Sequence, residues 1–255
     1  MIKLNDSEIH LWFVDHQDFD EVELKNKCLS WLSKEELDRL NRYKFRRHQK
    51  QFLLGRMLIR RALSQYSDVS PQHWRLADNQ YGKLFIEPSH KESLFFNLSH
   101  AGDRLVLAIS RVDQLGIDIE ASDKLRKIVK IAKRHFSIFE VEELVSLPDS
   151  QQLSRFYELW TLKEAYIKAR GYGLVIPLNQ LTFAFSEGRL ILHFSREIED
   201  DPLAWQIWQI YTPASYKLAL ALRNEREITS INSYRLATVK DWVSEKTSII
   251  RKSNS

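Results

Sequence analysis

Three consecutive stretches decide the fold: Leu105-Val106-Leu107-Ala108-Ile109, Val112-Asp113-Gln114 and Leu115-Gly116-Ile117-Asp118-Ile119-Glu120. The first is a continuous apolar run, as a buried strand is. The second has turn chemistry, and the third is a further strand. Upstream, residues 8–14 alternate loosely and predict a strand. Ser33 caps a helix beginning Lys34-Glu35-Glu36-Leu37, and Glu36 completes a capping box. A second helix is expected over about 46–66, with Phe52, Leu53, Leu58, Ile59 and Leu63 as its apolar stripe. Tyr81-Gly82-Lys83 reads as a turn into the strand Leu84-Phe85-Ile86, and residues 94–98 as another short strand.

After residue 121 the order starts again. The spacing predicts a helix over 128–134 and a Ser137-capped helix with Glu140 in a second capping box. A long helix over 153–170 follows, closed by Gly171-Tyr172-Gly173. Strands are expected at 181–185, 190–194, 204–211 and 217–222. Each half holds a helix with Glu-Glu-Leu (Glu35-Glu36-Leu37, then Glu142-Glu143-Leu144) and a long helix whose Phe52 and Phe156 lie 104 residues apart. Each also has a Tyr-Gly turn, Tyr81-Gly82 and Tyr172-Gly173. A diverged internal repeat of this kind predicts an α+β fold of two similar subdomains. Each is a helix pair packed on a small, mostly antiparallel sheet, the two related by a pseudo-twofold axis with a ligand cleft between them. The expected boundaries are 1–112, 113–237 and a C-terminal tail at 238–255.

Composition narrows the class. In 255 residues, 44% are apolar and 28% charged, enough for a core in one or two domains. Only 7 Gly and 6 Pro exclude collagen-like and low-complexity architectures. No run approaches the roughly 18 apolar residues of a membrane-spanning helix. Met1-Ile2-Lys3-Leu4-Asn5-Asp6 does not read as a secretory signal, and the lone Cys28 fits a reducing compartment, so a cytoplasmic location is expected. The net charge is +4, and its distribution is uneven. Arg39, Arg42, Lys44, Arg46, Arg47, Lys50, Arg56, Arg60 and Arg61 follow one another with no intervening acid, which calls for an anionic partner or a solvated helix face. There is no glycine-rich phosphate loop, no zinc-spaced Cys/His cluster and no Gly-x-Ser-x-Gly elbow. Ser99 and His100 are adjacent on an extended segment, so they point to opposite faces and do not form a nucleophile-base pair.

Three constellations carry chemistry. Asp118 and Glu120 share one face of a strand, where two carboxylates repel unless a cation or proton sits between them. Glu164 and Lys168 are one turn apart on a helix. They form either a surface ion pair, or a third carboxylate for a Mg²⁺ site with a cation for phosphates beside it. Phe96-Asn97-Leu98-Ser99-His100-Ala101-Gly102 ends a strand in a glycine turn, where donors can meet an anion.

Phe96-Asn97-Leu98-Ser99-His100, Gly116-Ile117-Asp118-Ile119-Glu120 and Trp160-x-x-Lys163-Glu164-Ala165-x-x-Lys168 stand in an order and at separations that resemble a known family. With Tyr81-Gly82-Lys83, and Leu54-Gly55-Arg56 followed by Arg60, they resemble the 4′-phosphopantetheinyl transferases of the surfactin-synthetase-activating type, over about residues 30–225. The resemblance implies a monomeric pseudo-dimer with coenzyme A bound between its halves. It also implies Mg²⁺-dependent transfer of the phosphopantetheine arm to a serine of an apo acyl or peptidyl carrier protein, leaving adenosine 3′,5′-bisphosphate. Carried over residue by residue, Asp118, Glu120 and Glu164 are the expected metal ligands, with Glu164 the best-placed general base. Lys168 is expected on the pyrophosphate, His100 on the 3′-phosphate with Ser99 beside it, and Lys83 at the adenine end. Lys163 faces a phosphate or elsewhere. Positions that hold cations in the family fall here on Glu36 and Gln51, so Arg39, Arg47 or Lys50 are the expected replacements. Neither nucleic acid nor membrane is an expected partner. The rival reading is a non-enzymatic nucleic-acid binder using a basic helix at 39–61, with Tyr43 and Phe45 as stacking platforms.

Overall fold

The computed structural model describes residues 1–123, 127–212 and 216–253. In chain order its principal elements are β1 (Glu8–Asp15), α1 (Glu21–Cys28), α2 (Lys34–Arg42), α3 (Arg46–Leu63), β2 (Leu76–Asp78), β3 (Leu84–Ile86), β4 (Phe95–Ala101) and β5 (Arg104–Ser110). There follow β6 (Leu115–Ala121), α4 (Ile128–His135), α5 (Ile138–Ser146), α6 (Asp149–Arg170), β7 (Leu181–Ser186), β8 (Arg189–Phe194), β9 (Trp205–Tyr211) and β10 (Tyr216–Arg223). The chain closes with β11 (Ser230–Leu236), β12 (Trp242–Ser244) and β13 (Ser248–Ser253). It divides into two compact units, Met1–Arg111 with Thr229–Lys246, and Val112–Ile228 with Thr247–Ser255.

In the first unit a five-stranded sheet runs β12-β11-β1-β5-β4, and β2 and β3 form a separate ribbon. Leu53, Leu54, Met57, Leu58 and Ala62 of α3 share a core with Trp12, Leu105, Leu107 and Ile109 of the sheet. In the second, a six-stranded sheet runs β6-β10-β9-β13-β8-β7. Phe156, Leu159, Leu162 and Ala165 of α6 pack there with Ile207, Ala219 and Ala221. One connectivity serves both: a strand, three helices rather than the expected pair, a ribbon, then a hairpin whose last strand returns antiparallel to the first. The fold is therefore α+β, with two similar subdomains as expected.

The capping boxes set the register of the repeat. Ser33 and Ser137 accept from the backbone of Glu36 and Glu140, whose carboxylates return to the cap nitrogens. These pairs stand 104 residues apart, as do buried Leu40 and Leu144 and the phenylalanines Phe52 and Phe156. The Glu-Glu-Leu triplets do not correspond. Glu36 is the third residue of its helix, whereas Glu142 and Glu143 lie further along theirs. Nor do the Tyr-Gly turns. Tyr81-Gly82 closes the β2–β3 ribbon, where Gly82 has φ 85°, but Tyr172-Gly173 directly follows α6, and the matching ribbon turn is Glu187-Gly188.

The C-terminal residues, read as a tail, are strands. β11 pairs parallel with β1, β12 extends the first sheet, and β13 is hydrogen-bonded between β9 and β8 in the second. The basic stretch at 39–61 is not one helix: α2 ends at Arg42 and α3 begins at Arg46. Two of its cations face inward. Arg56 Nε lies 2.7 Å from Glu36 Oε1 and Arg60 Nη2 2.6 Å from Glu36 Oε2, all three side chains buried.

Candidate active site

Gly116, Asp118 and Glu120 alternate onto one face of β6, and α6 crosses it. The glycine makes the approach possible, because a Cβ at 116 would lie 2.1 Å from the Ala165 carbonyl oxygen and 2.3 Å from the Ala169 nitrogen. Asp118 is buried at 5% exposure. Lys168 Nζ donates to Asp118 Oδ1 at 2.6 Å, so the lysine reaches across to the strand. Glu164, one turn before Lys168, has its carboxyl pushed up to about 7. Burial is the main cause; the Asp118 and Glu120 charges add to it, and Lys168 opposes it. Glu164 on α6 thus lies under the charges of Asp118, Glu120 and Lys168. Among the described residues no three His, Cys, Asp or Glu side chains are gathered as a metal-binding set.

Lys163 requires a correction. Its ammonium is fully buried, 2.7 Å from Glu140 Oε2, and donates to the carbonyl oxygens of Leu178 at 2.9 Å and Leu181 at 2.5 Å. Burial lowers its pKa against the pull of Glu140. Glu140 also accepts from the Phe183 nitrogen at 2.8 Å. With every donor taken by the protein, Lys163 fastens α6 to α5 and β7 and has nothing to offer a phosphate. Sequence reasoning also passed over Lys217. It stands opposite Glu120 in the β10–β6 ladder and donates to Glu158 Oε1 at 3.2 Å. Only the strand register reveals it, since residues paired across a ladder share a face.

The remaining predicted residues lie in the first unit. Ser99 and His100 are on β4, Ser99 buried and His100 exposed, as alternate faces require. Lys83 ends the β2–β3 turn. Its nitrogen, like that of Tyr81, donates to Asn79 Oδ1 at 2.9 Å, and Gly82 N donates to the Asn79 carbonyl. Arg47, in the first turn of α3, pairs with Asp103 at 3.0 Å, and Arg39 lies 3.5 Å from Asp78. A cavity of about 650 Å³ opens beside α2, with Arg39, Arg42 and Arg75 facing Asp78 and Glu87. Arg47, Lys83, Ser99 and His100 do not line it.

Both halves of the chain match one family. Residues 21–112 match the 4′-phosphopantetheinyl transferase N-terminal domain and residues 114–221 the 4′-phosphopantetheinyl transferase superfamily. The chain is 37% identical over 186 residues to the 4′-phosphopantetheinyl transferase HetI of Nostoc sp., covering 72% of this chain and 77% of that one. It is 29% identical over 198 residues to Sfp of Bacillus subtilis, covering 78% and 85%. To the human L-aminoadipate-semialdehyde dehydrogenase-phosphopantetheinyl transferase it is 32% identical over 209 residues, covering 74% and 66%. The chain belongs to the 4′-phosphopantetheinyl transferase superfamily. Its members move a phosphopantetheine group onto carrier proteins, and nothing in these relatives favours nucleic-acid binding. The internal pairing of Arg56 and Arg60 with Glu36 removes further cations from that rival reading.

Proposed function

We propose that this chain is a Mg²⁺-dependent transferase that moves the 4′-phosphopantetheine of coenzyme A onto a serine of an apo acyl or peptidyl carrier protein. The observation that carries this reading is the close packing of α6 on the face of β6 that bears Asp118 and Glu120, with Lys168 bonded to Asp118. Asp118, Glu120 and Glu164 would be the hard oxygen ligands, and the Asp118 and Glu120 charges, which add to the effect of burial on Glu164, are what a divalent cation would offset. Bound Mg²⁺ supplies neutralisation of pyrophosphate charge. Glu164 accepts the proton of the carrier serine, directly or through a water. The serine oxygen bonds to the phosphorus that carries the pantetheine arm, and the bond from that phosphorus to the 3′,5′-ADP oxygen breaks. Lys168 stabilises the charge appearing on that oxygen.

Arg39, Arg47, Lys83, Ser99 and His100 complete the coenzyme A contacts in this reading. The protein is proposed to work as a cytoplasmic monomer. Its lone Cys28 is buried and its thiol pushed up to about 12, chiefly by burial, which keeps it inert. No helix among the described residues is long and apolar enough to cross a membrane. The test is k_cat/K_M for coenzyme A and dephospho-coenzyme A with wild type and His100→Ala. The reading expects the mutation to narrow the preference for coenzyme A, and an equal penalty on both donors removes His100 from the 3′-phosphate.

A further inference from the structure

The transferase reading uses only Arg47 of the segment that joins α2 to α3. Residues 42–50, Arg42-Tyr43-Lys44-Phe45-Arg46-Arg47-His48-Gln49-Lys50, hold five cations and no acid. Since the chain's net charge is +4, the rest of it sums to −1, and this short segment holds the whole positive excess. The cations on either side are spoken for. Arg56 and Arg60 are buried on Glu36, Arg39 faces Asp78, and Arg61 donates to the Lys240 carbonyl at 2.7 Å. In the segment itself, Arg42, Lys44 and Arg46 are exposed and in no ion pair among the described residues. Arg47, paired with Asp103, is still largely exposed.

At the centre of these charges stands Phe45, 67% exposed and edge-on to His48 with ring centroids 5.6 Å apart. The backbone beneath is fixed: His48 N and Gln49 N donate to the Phe45 carbonyl, and Gln49 Nε2 donates to the Tyr43 carbonyl at 2.9 Å. The phenylalanine is therefore held out by an ordered turn. A rigid apolar side chain ringed by cations is the chemistry of a protein-binding anchor, with charge steering the approach and the ring desolvated on contact.

We propose that the exposed segment 42–50, anchored by Phe45, docks an acidic face of the apo carrier protein. This rests on the transferase reading above. The experiment compares wild type, Lys44→Glu/Arg46→Glu and Phe45→Ala with an apo acyl carrier protein and an apo peptidyl carrier domain. It reads K_M for carrier, K_M for coenzyme A, melting temperature, and direct binding of a carrier whose acceptor serine is alanine, at low and high salt. The expected result is at least about a tenfold rise in carrier K_M and K_d for the double variant, with a smaller rise for Phe45→Ala. Coenzyme A K_M and melting temperature should be unchanged, and the salt dependence of carrier binding should flatten. The neutral pair Lys44→Gln/Arg46→Gln replaces the double variant if that one melts early. Unchanged carrier K_M and K_d in an active enzyme overturn the docking surface alone. So does a single-stranded oligonucleotide that binds this segment more tightly than the carrier does. A wild type that modifies neither carrier overturns the transferase reading and the docking surface with it.

Discussion

The two units solve one packing problem with different side chains. In the first, Glu36 meets Arg56 and Arg60 of α3 while still closing its capping box; in the second, Glu140 closes an equivalent box and meets Lys163 of α6. Each buried carboxylate ties a short helix to a long one. The long helices then part company. The residue 104 positions after Arg60 of α3 is Glu164 of α6. Arg60 is neutralised within its unit, whereas Glu164 lies under the charges of Asp118 and Glu120. The scaffold is repeated, and in the second unit a carboxylate takes the place of a structural arginine.

If that comparison is sound, the largest effects belong to the shared device. Glu36→Ala takes the partner from two buried arginines and Glu140→Ala from one buried lysine, and each should destabilise by roughly 3–5 kcal/mol, read as a lower urea midpoint with unchanged slope. A mild loss in one unit only would show that the two pairs are not equivalent. Next come the residues in which the units differ. Lys168→Ala should lower k_cat by about 10²-fold or more with little change in melting temperature, the usual scale for losing one electrostatic donor. Lys168→Arg should recover part of that loss. A rate unchanged in Lys168→Ala would return this helix face to a structural role.

Gly116→Ala tests the close approach of α6 to β6. The added methyl has backbone atoms, not a flexible side chain, in its way, so a loss of about 1–3 kcal/mol is expected together with a fall in rate. The smallest effect concerns pH. Glu164 titrates at about 7 in the folded chain, above its ordinary value of 4.5. The folded state therefore binds the extra proton between these values, and metal-free protein should lose stability as pH rises through about 7. In Glu164→Gln the melting temperature should fall less over the same range. Parallel curves for the two proteins would detach Glu164 from the carboxylate cluster.

Much of this was legible in the sequence, for local reasons. Both capping boxes are four-residue signals, and Gly171 ends α6 in the left-handed conformation at φ 72°. Asp118 and Glu120 share a face because strand side chains alternate. What escaped depends on distant partners. Glu36 carries no mark that it will sit between two arginines twenty and more residues on, so the basic stretch read as one solvated or ligand-binding helix. Lys163 looked available beside Glu164 because only the packed fold brings Glu140 and two carbonyls to its ammonium. α1 lacks a clear apolar stripe, burying only Leu24 and Cys28. The C-terminal strands are defined by the neighbours they join rather than by their own pattern, most of all β13, whose ladder with β9 breaks register between Ile249 and Arg251.

The central claim is that the second unit carries the chemistry, and intact-mass spectrometry of an apo carrier protein tests it most directly. The carrier is incubated with coenzyme A, Mg²⁺ and either wild type or Asp118→Ala, the melting temperature of each enzyme being measured alongside. The account predicts a mass gain of one phosphopantetheine with wild type. With a folded Asp118→Ala, whose Lys168 has lost its partner on β6, it predicts no gain over the same time. Modification by Asp118→Ala at the wild-type rate would contradict it.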